Sequence, residues 1–107
     1  MRNVIPWFTL KCVPGIGNLL FKRLLDRFGS PQAALCATAA DLAQVDGLTE
    51  RIVRGIQKQR TPEGIFDILN EVEKKGYAVI TLQHPDYPVL LKHIPDPPPL
   101  LFVYGRL

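Results

Sequence analysis

The chain has 107 residues, of which 47% are hydrophobic and 21% charged, so it predicts one globular domain, or a small domain with part of a second, and not a disordered chain. No apolar run approaches the roughly 20 residues that a membrane-spanning helix needs. The N-terminus also lacks the small-residue cleavage site of a signal peptide, so we expect a cytoplasmic protein.

The net charge of +3 is unevenly distributed along the chain. Residues 1–60 carry nine Lys/Arg and four Asp/Glu, whereas residues 61–107 carry four and six. The N-terminal half is therefore the better candidate for contact with nucleic acid, although a solvated basic surface without a partner fits the same charges.

The first half of the chain predicts short helices separated by turns. Leu20, Leu24 and Phe28 have the spacing of one helical face, which predicts a helix over 18–28 that ends at Gly29. Capping residues and prolines place further helices over 4–12, from Ser30-Pro31 to about Ala37, and from Thr38 through Ala43.

Two segments of this half resemble each other at an offset of 32 residues: VPGIGNLLFKRLL at 13–25 and VDGLTERIVRGI at 45–56. Gly15 matches Gly47, and the apolar positions of the following helices also coincide. A turn and a helical register that repeat together predict a duplicated helix–hairpin–helix unit. The second copy is weaker because Thr49 replaces Gly17.

A Gly-apolar-Gly turn before a helix has two interpretations. Glycines allow the backbone to approach a ligand closely, and the first amides of a helix lack internal partners and favour a phosphate. The candidate DNA-phosphate ligands are Gly15, Gly17, Asn18, Lys22, Arg23, Gly47, Arg51 and Arg54. Alternatively, the glycines only allow two helices to cross closely, Thr49 is an N-cap, and the arginines of the second copy form a solvated face.

Catalytic patterns are not found in the sequence. It has no Ser/His/Asp ordering, nucleophile elbow or P-loop, so we expect no enzyme, no catalytic residue and no cofactor. His84 and Asp86 are interpreted as turn residues because prolines flank them. Cys12, Cys36, His84 and His93 lack the spacing of zinc ligands, and we expect the cysteines to be unpaired apolar fillers.

The second half predicts a change from helix to strand. Thr61-Pro62 begins a helix that runs to Lys75 and bridges two parts of the chain, and strands follow over 77–82 and 100–104. A short helix to about Lys92 and the proline-rich segment 95–99 lie between the strands. Five positions of the bridging helix are expected to face a core: Ile65, Phe66, Ile68, Leu69 and Val72.

Two apolar strands joined through a helix are typical of the opening of a parallel sheet covered on both faces. Two strands cannot complete such a sheet, so we expect a part of a longer protein. The predicted fold is mainly α with a small α/β part. A strand before residue 70 would contradict the repeat.

Three segments in this order, VPGIGNLLFKRLLDRFGS, QVDGLTERIV and GYAVITLQHPDYPVLLKHIPDPPPLLFVYG, resemble the N-terminal part of the bacterial DNA-processing protein A family (DprA, also called Smf). The resemblance implies a SAM-like helical domain over 1–62 with two helix–hairpin–helix units. It also implies that 63–107 forms a bridging helix and the truncated start of an extended Rossmann-like domain.

Family members bind single-stranded DNA and help load the RecA recombinase during natural transformation, and they are not established as enzymes. The resemblance places their glycine-serine-arginine phosphate motif, and their dimer and recombinase contacts, beyond Leu107. The glycine hairpin would then be either an auxiliary phosphate contact or mainly a structural turn, and we favour the auxiliary contact. Two alternatives stay open: a protein-interaction module without DNA contact, and the N-terminal part of a nucleotide- or phosphate-processing enzyme.

Overall fold

Seven helices and two strands occur in the computed structural model, which describes residues 4–58 and 64–104. In chain order they are α1 (Ile5–Lys11), α2 (Asn18–Phe28), α3 (Pro31–Leu35), α4 (Ala39–Ala43), α5 (Glu50–Gln57), α6 (Ile65–Lys74), β1 (Tyr77–Thr81), α7 (Val89–Lys92) and β2 (Leu100–Tyr104). Within the described ranges no strand precedes Tyr77, and no helix is long and apolar enough to cross a membrane.

Side-chain caps begin three of the short helices, as the sequence predicts. Ser30 Oγ accepts from Ala33 N at 3.1 Å, and Thr38 Oγ1 accepts from Asp41 N at 3.2 Å. Thr49 does the same at the start of α5. Such caps satisfy an amide that has no partner inside the helix. The predicted start at Thr61-Pro62 lies outside the described residues, and α6 begins at Ile65.

The main apolar cluster joins the helices to the sheet. Trp7 stacks on Phe21 with ring centroids 5.5 Å apart, and Ile80 and Tyr87 lie in the same cluster. Its other fully buried members are Leu10, Leu24, Ala34, Leu42 and Ile56. The segments before and after residues 59–63 therefore share one core.

The expectation that the two cysteines fill apolar space is wrong. Cys12 and Cys36 are exposed free thiols. Each is the C-cap residue of a short helix, where the chain turns at the surface and the side chain points away from the core.

The two strands pair antiparallel, with Tyr77 opposite Tyr104 and Thr81 opposite Leu100, so the expectation of a parallel pair is wrong. Parallel strands are joined by a crossover connection, most often a helix that returns along the strand. α7 has only four residues, or about 6 Å, whereas a five-residue strand is about 17 Å long. The chain instead folds back where β1 ends, and Leu82 N donates to Pro99 O at 2.9 Å.

Helices cover both faces of this sheet. Ile80 faces the main cluster, while its neighbour Val79 packs on a second cluster formed by Val4, Ile65 and Leu69. Only one face of α6 takes part in this packing.

The expectation that Phe66 and Ile68 face a core is therefore wrong. Both are 53% exposed, because they lie on the two flanks of the α6 face that carries Ile65 and Leu69. Val72 is half-buried at the edge of that face.

Candidate nucleic-acid interface

The two glycine turns have the same backbone hydrogen bonds at an offset of 32 residues. Gly15 and Gly47 both have positive φ, +92° and +89°. In the first turn, Ile16 N donates to Val13 O (3.2 Å) and Phe21 N donates to Gly17 O (3.0 Å). In the second turn, the equivalent bonds run from Leu48 N to Val45 O (3.2 Å) and from Val53 N to Thr49 O (2.9 Å). The sequence repeat is therefore a repeat of helix, turn and helix.

The two units contact each other reciprocally. A Cβ added to Gly15 would lie 3.0 Å from Ile52 Cγ1, and one added to Gly47 would lie 2.8 Å from Leu20 Cδ2. Leu20 and Ile52 are counterparts in the repeat. The glycine of each unit thus contacts the same helical position of the other unit. Such reciprocal contacts indicate that a local two-fold axis relates the units, and not a translation. Each turn therefore lies beside the first helical turn of the other unit.

These contacts explain why a glycine is required at two of the three glycine positions that the sequence predicts as phosphate ligands. Gly15 and Gly47 combine a positive φ with close neighbours, a combination that a side chain would disrupt. Gly17 is different, because its φ is −89° and no atom lies within 4 Å of an added Cβ. Packing does not require a glycine at this position.

The two helix starts differ in capping. Thr49 Oγ1 accepts from Ile52 N at 3.2 Å, whereas Gly17 supplies no side chain to the equivalent Leu20 amide. The start of α5 also carries the Glu50 carboxylate, while the start of α2 carries Asn18. An anion is therefore better accommodated at the start of α2.

The predicted basic ligands of the first unit already have partners. Lys22 Nζ lies 2.5 Å from Asp26 Oδ1 on the next turn of α2. Arg23 Nη1 donates to Asp46 O at 3.0 Å and so contacts the second turn. Lys11 Nζ donates to Asn18 Oδ1 at 3.1 Å, which places an unpredicted ammonium group at the start of α2.

In the second unit, Arg54 pairs with Glu50 at 3.6 Å, and both side chains are largely exposed. Arg51 is also exposed, and its guanidinium forms no hydrogen bond or ion pair with the described part of the chain. The structure thus brings both glycine turns, both helix starts and Arg51 into one region. It directs Lys22 away from the first turn, toward a groove that Gln83 and Lys92 also line.

A further polar contact that the sequence did not predict joins α2 to the segment before the second turn. Arg27 Nη2 donates to Gln44 Oε1 at 2.8 Å. The signal available was the spacing of Arg23 and Arg27, which are four residues apart and so lie on one face of α2. His84 and Asp86 do form a turn as predicted, with His84 Nδ1 accepting from Asp86 N at 3.0 Å.

This arrangement defines a class: a small helical module with two glycine turns related by a local two-fold axis, packed on an antiparallel strand pair. The chain is 37% identical over 101 residues to Protein Smf of Synechocystis sp. (strain ATCC 27184 / PCC 6803 / Kazusa), which confirms the resemblance to Smf proteins. The alignment covers 94% of this chain and 25% of that protein. The chain therefore spans about a quarter of that relative's length. No family model and no solved structure matches the chain.

Proposed function

We propose that this chain is the DNA-handling helical module of a DprA/Smf-type DNA-processing protein. The proposal includes the SAM-like domain with two helix–hairpin–helix units over 1–62 and the start of a Rossmann-like domain over 63–107. The observation that carries it is the similarity to Protein Smf along 94% of the chain. The partners are single-stranded DNA and, in the whole protein, a RecA-type recombinase during natural transformation. The protein acts in the cytoplasm and without enzymatic activity.

The first glycine turn is the proposed point of DNA contact. Its geometry supports this role because the Leu20 amide has no side-chain cap and no carboxylate lies at the first position of α2. Contacts from backbone amides to phosphate are independent of base sequence, as a protein that handles any single strand requires. Arg51 supplies a charge from the first turn of α5. The Thr49 cap and Glu50 make the second helix start the weaker contact.

The first test exploits the natural difference between Gly17 and Thr49. Gly17→Thr should place a hydroxyl on the Leu20 amide, as Thr49 does on Ile52, and so compete with phosphate. Gly17→Ala adds a Cβ in open space without an acceptor. In a fluorescence-anisotropy titration with labelled oligothymidine, we expect Gly17→Thr to weaken binding severalfold and Gly17→Ala to bind like wild type.

Arg51→Ala, titrated at several salt concentrations, gives a second readout. Loss of one phosphate contact should lower the slope of log affinity against log salt by about one unit. Equal affinity of Gly17→Thr and wild type would contradict contact at the first turn. A wild-type chain that binds no oligonucleotide would contradict DNA handling by this part of the protein.

A protein-interaction module is the second candidate function. The observation that favours it is the exposure of large apolar side chains on α6 and α7, namely Phe66, Ile68 and Leu90. Under this alternative, the wild-type chain binds no DNA.

A further inference from the structure

Arg23 and Arg27 both hold the segment that precedes the second glycine turn. Arg23 Nη1 donates to Asp46 O at 3.0 Å, and Arg27 Nη2 donates to Gln44 Oε1 at 2.8 Å. The two arginines are one helical turn apart on α2, so their guanidinium groups reach the same side. Both hydrogen bonds therefore end on residues 44–46, immediately before Gly47.

The repeat shows why the second turn needs this support. The counterpart of Arg23 in the second unit is Gly55. An added Cβ there would lie 3.0 Å from Val13 Cγ1, so the first turn packs directly on the α5 backbone. The equivalent position of α2 carries the side chain of Arg23 in place of a bare glycine backbone. The hydrogen bond to Asp46 O takes the place of this packing.

The surroundings of the two guanidinium groups do not favour an anion. The groove that they line is also lined by Asp26, Gln44 and Asp46. Both guanidinium groups already donate to oxygen atoms of residues 44–46, so a phosphate would have to displace these hydrogen bonds.

We propose that Arg23 and Arg27 form a clamp that positions the second glycine turn beside α2, and that neither is a phosphate ligand. The role of this clamp in DNA binding rests on the proposed function. In that role, the clamp sets the position of Arg51 relative to the first turn. The clamp itself is a property of the free protein and is measurable without DNA.

The first readout is amide hydrogen exchange in the free 107-residue chain, followed by NMR. Leu48 N donates to Val45 O within the second turn, and Ile16 N forms the equivalent bond in the first. In Arg23→Met and Arg27→Met, Leu48 should exchange about threefold to tenfold faster, as expected for the loss of one hydrogen bond. Ile16 is the matched internal control and should be unchanged. Unchanged exchange at Leu48 would overturn the clamp.

The second readout separates a positioning residue from a phosphate ligand. Both arginine variants should bind oligothymidine severalfold more weakly with an unchanged salt slope, because Arg51 still contacts phosphate in the complex and only the ordering of the loosened turn opposes binding. A slope that falls by about one unit would overturn the proposal, because that change marks a lost phosphate contact.

Gln44→Ala supplies a control that leaves the charge intact. It breaks the bond to Arg27, so it should reproduce the exchange and affinity of Arg27→Met, and the double variant should be no worse than either single one. Binding by Gln44→Ala that equals wild type, with Arg27→Met impaired, would identify Arg27 as a ligand and overturn the clamp. If the wild-type chain binds no DNA, the proposed function fails, while the exchange data still decide whether the clamp exists.

Discussion

Gly47 and Gly17 show that similar-looking glycines in two related turns have different structural roles. Gly47 has a φ of +89°, and its missing side chain leaves room for Leu20. Gly17 has an ordinary negative φ and open space around it. A third glycine, Gly29, has a positive φ of +86° without close neighbours. Backbone strain and packing can therefore be measured separately.

Gly47→Ala should lower the free energy of unfolding by about 2 to 4 kcal/mol. The left-handed backbone costs an alanine about 1–2 kcal/mol, and the close approach of Leu20 adds to it. Gly29→Ala should show the backbone cost alone. Gly17→Ala should cost at most about 1 kcal/mol, because its φ is unstrained but alanine is a poorer N-cap than glycine. Urea denaturation measures all three. Equal losses for Gly47→Ala and Gly29→Ala would contradict the packing of α2 against the second turn.

At the scale of elements, α2 and α5 differ at the N-cap position. A side-chain cap there stabilises the helix, whereas a glycine leaves the first amides available to a ligand. Thr49 satisfies an amide of its own helix and makes α5, which has eight residues, less dependent on other contacts. α2 has eleven residues and buries Phe21, Leu24 and Leu25. Its packing compensates for the missing cap, because most helical stability in proteins comes from burial of one face.

Thr49→Ala should therefore lower the free energy of unfolding by about 1 kcal/mol, since the Ile52 amide loses its acceptor. Thr49→Ser keeps the hydroxyl and should remain within a few tenths of a kcal/mol of wild type. Thermal and urea denaturation measure the effect. A Thr49→Ala variant as stable as Thr49→Ser would show that the hydroxyl does not cap α5.

At the scale of the whole molecule, Tyr87 connects the long loop between the strands to the shared core. Tyr87 is only 2% exposed, and its hydroxyl donates to Pro98 O at 2.6 Å. Burial raises the pKa of Tyr87 above its ordinary value of 10.0, because the charged phenolate loses hydration.

Stability should consequently fall in alkaline solution. The native pKa lies above the unfolded one, so the stabilisation by neutral Tyr87 is complete below pH 10.0 and is lost as pH rises through the native pKa. Tyr87→Phe should cost about 0.5–1.5 kcal/mol at neutral pH through the lost hydrogen bond. Its deficit relative to wild type should shrink above pH 10.0, as followed by denaturation at a series of pH values. A deficit that stays constant with pH would contradict the raised pKa.

The sequence by itself determined where most helices begin and end. Ser30, Thr38 and Thr49 bond to amides three residues ahead, and Gly29 ends α2 with a left-handed φ. These interactions span a few residues, so residue type and spacing are sufficient to predict them. The repeat at 32 residues was visible for the same reason, because each turn is built from its own local hydrogen bonds.

Only the tertiary structure decided how these elements meet. The two-fold relation of the turns depends on contacts between Gly15 and Ile52 and between Gly47 and Leu20, and a repeat in sequence fits a translation equally well. The hydrogen bond of Arg23 to Asp46 joins residues 23 positions apart. Likewise, the antiparallel direction of the strands depends on how the connection over 82–99 folds back on β1, which the apolar pattern of the strands does not specify. Contacts between distant segments depend on how all the buried faces are satisfied together, and local residue patterns do not encode that solution.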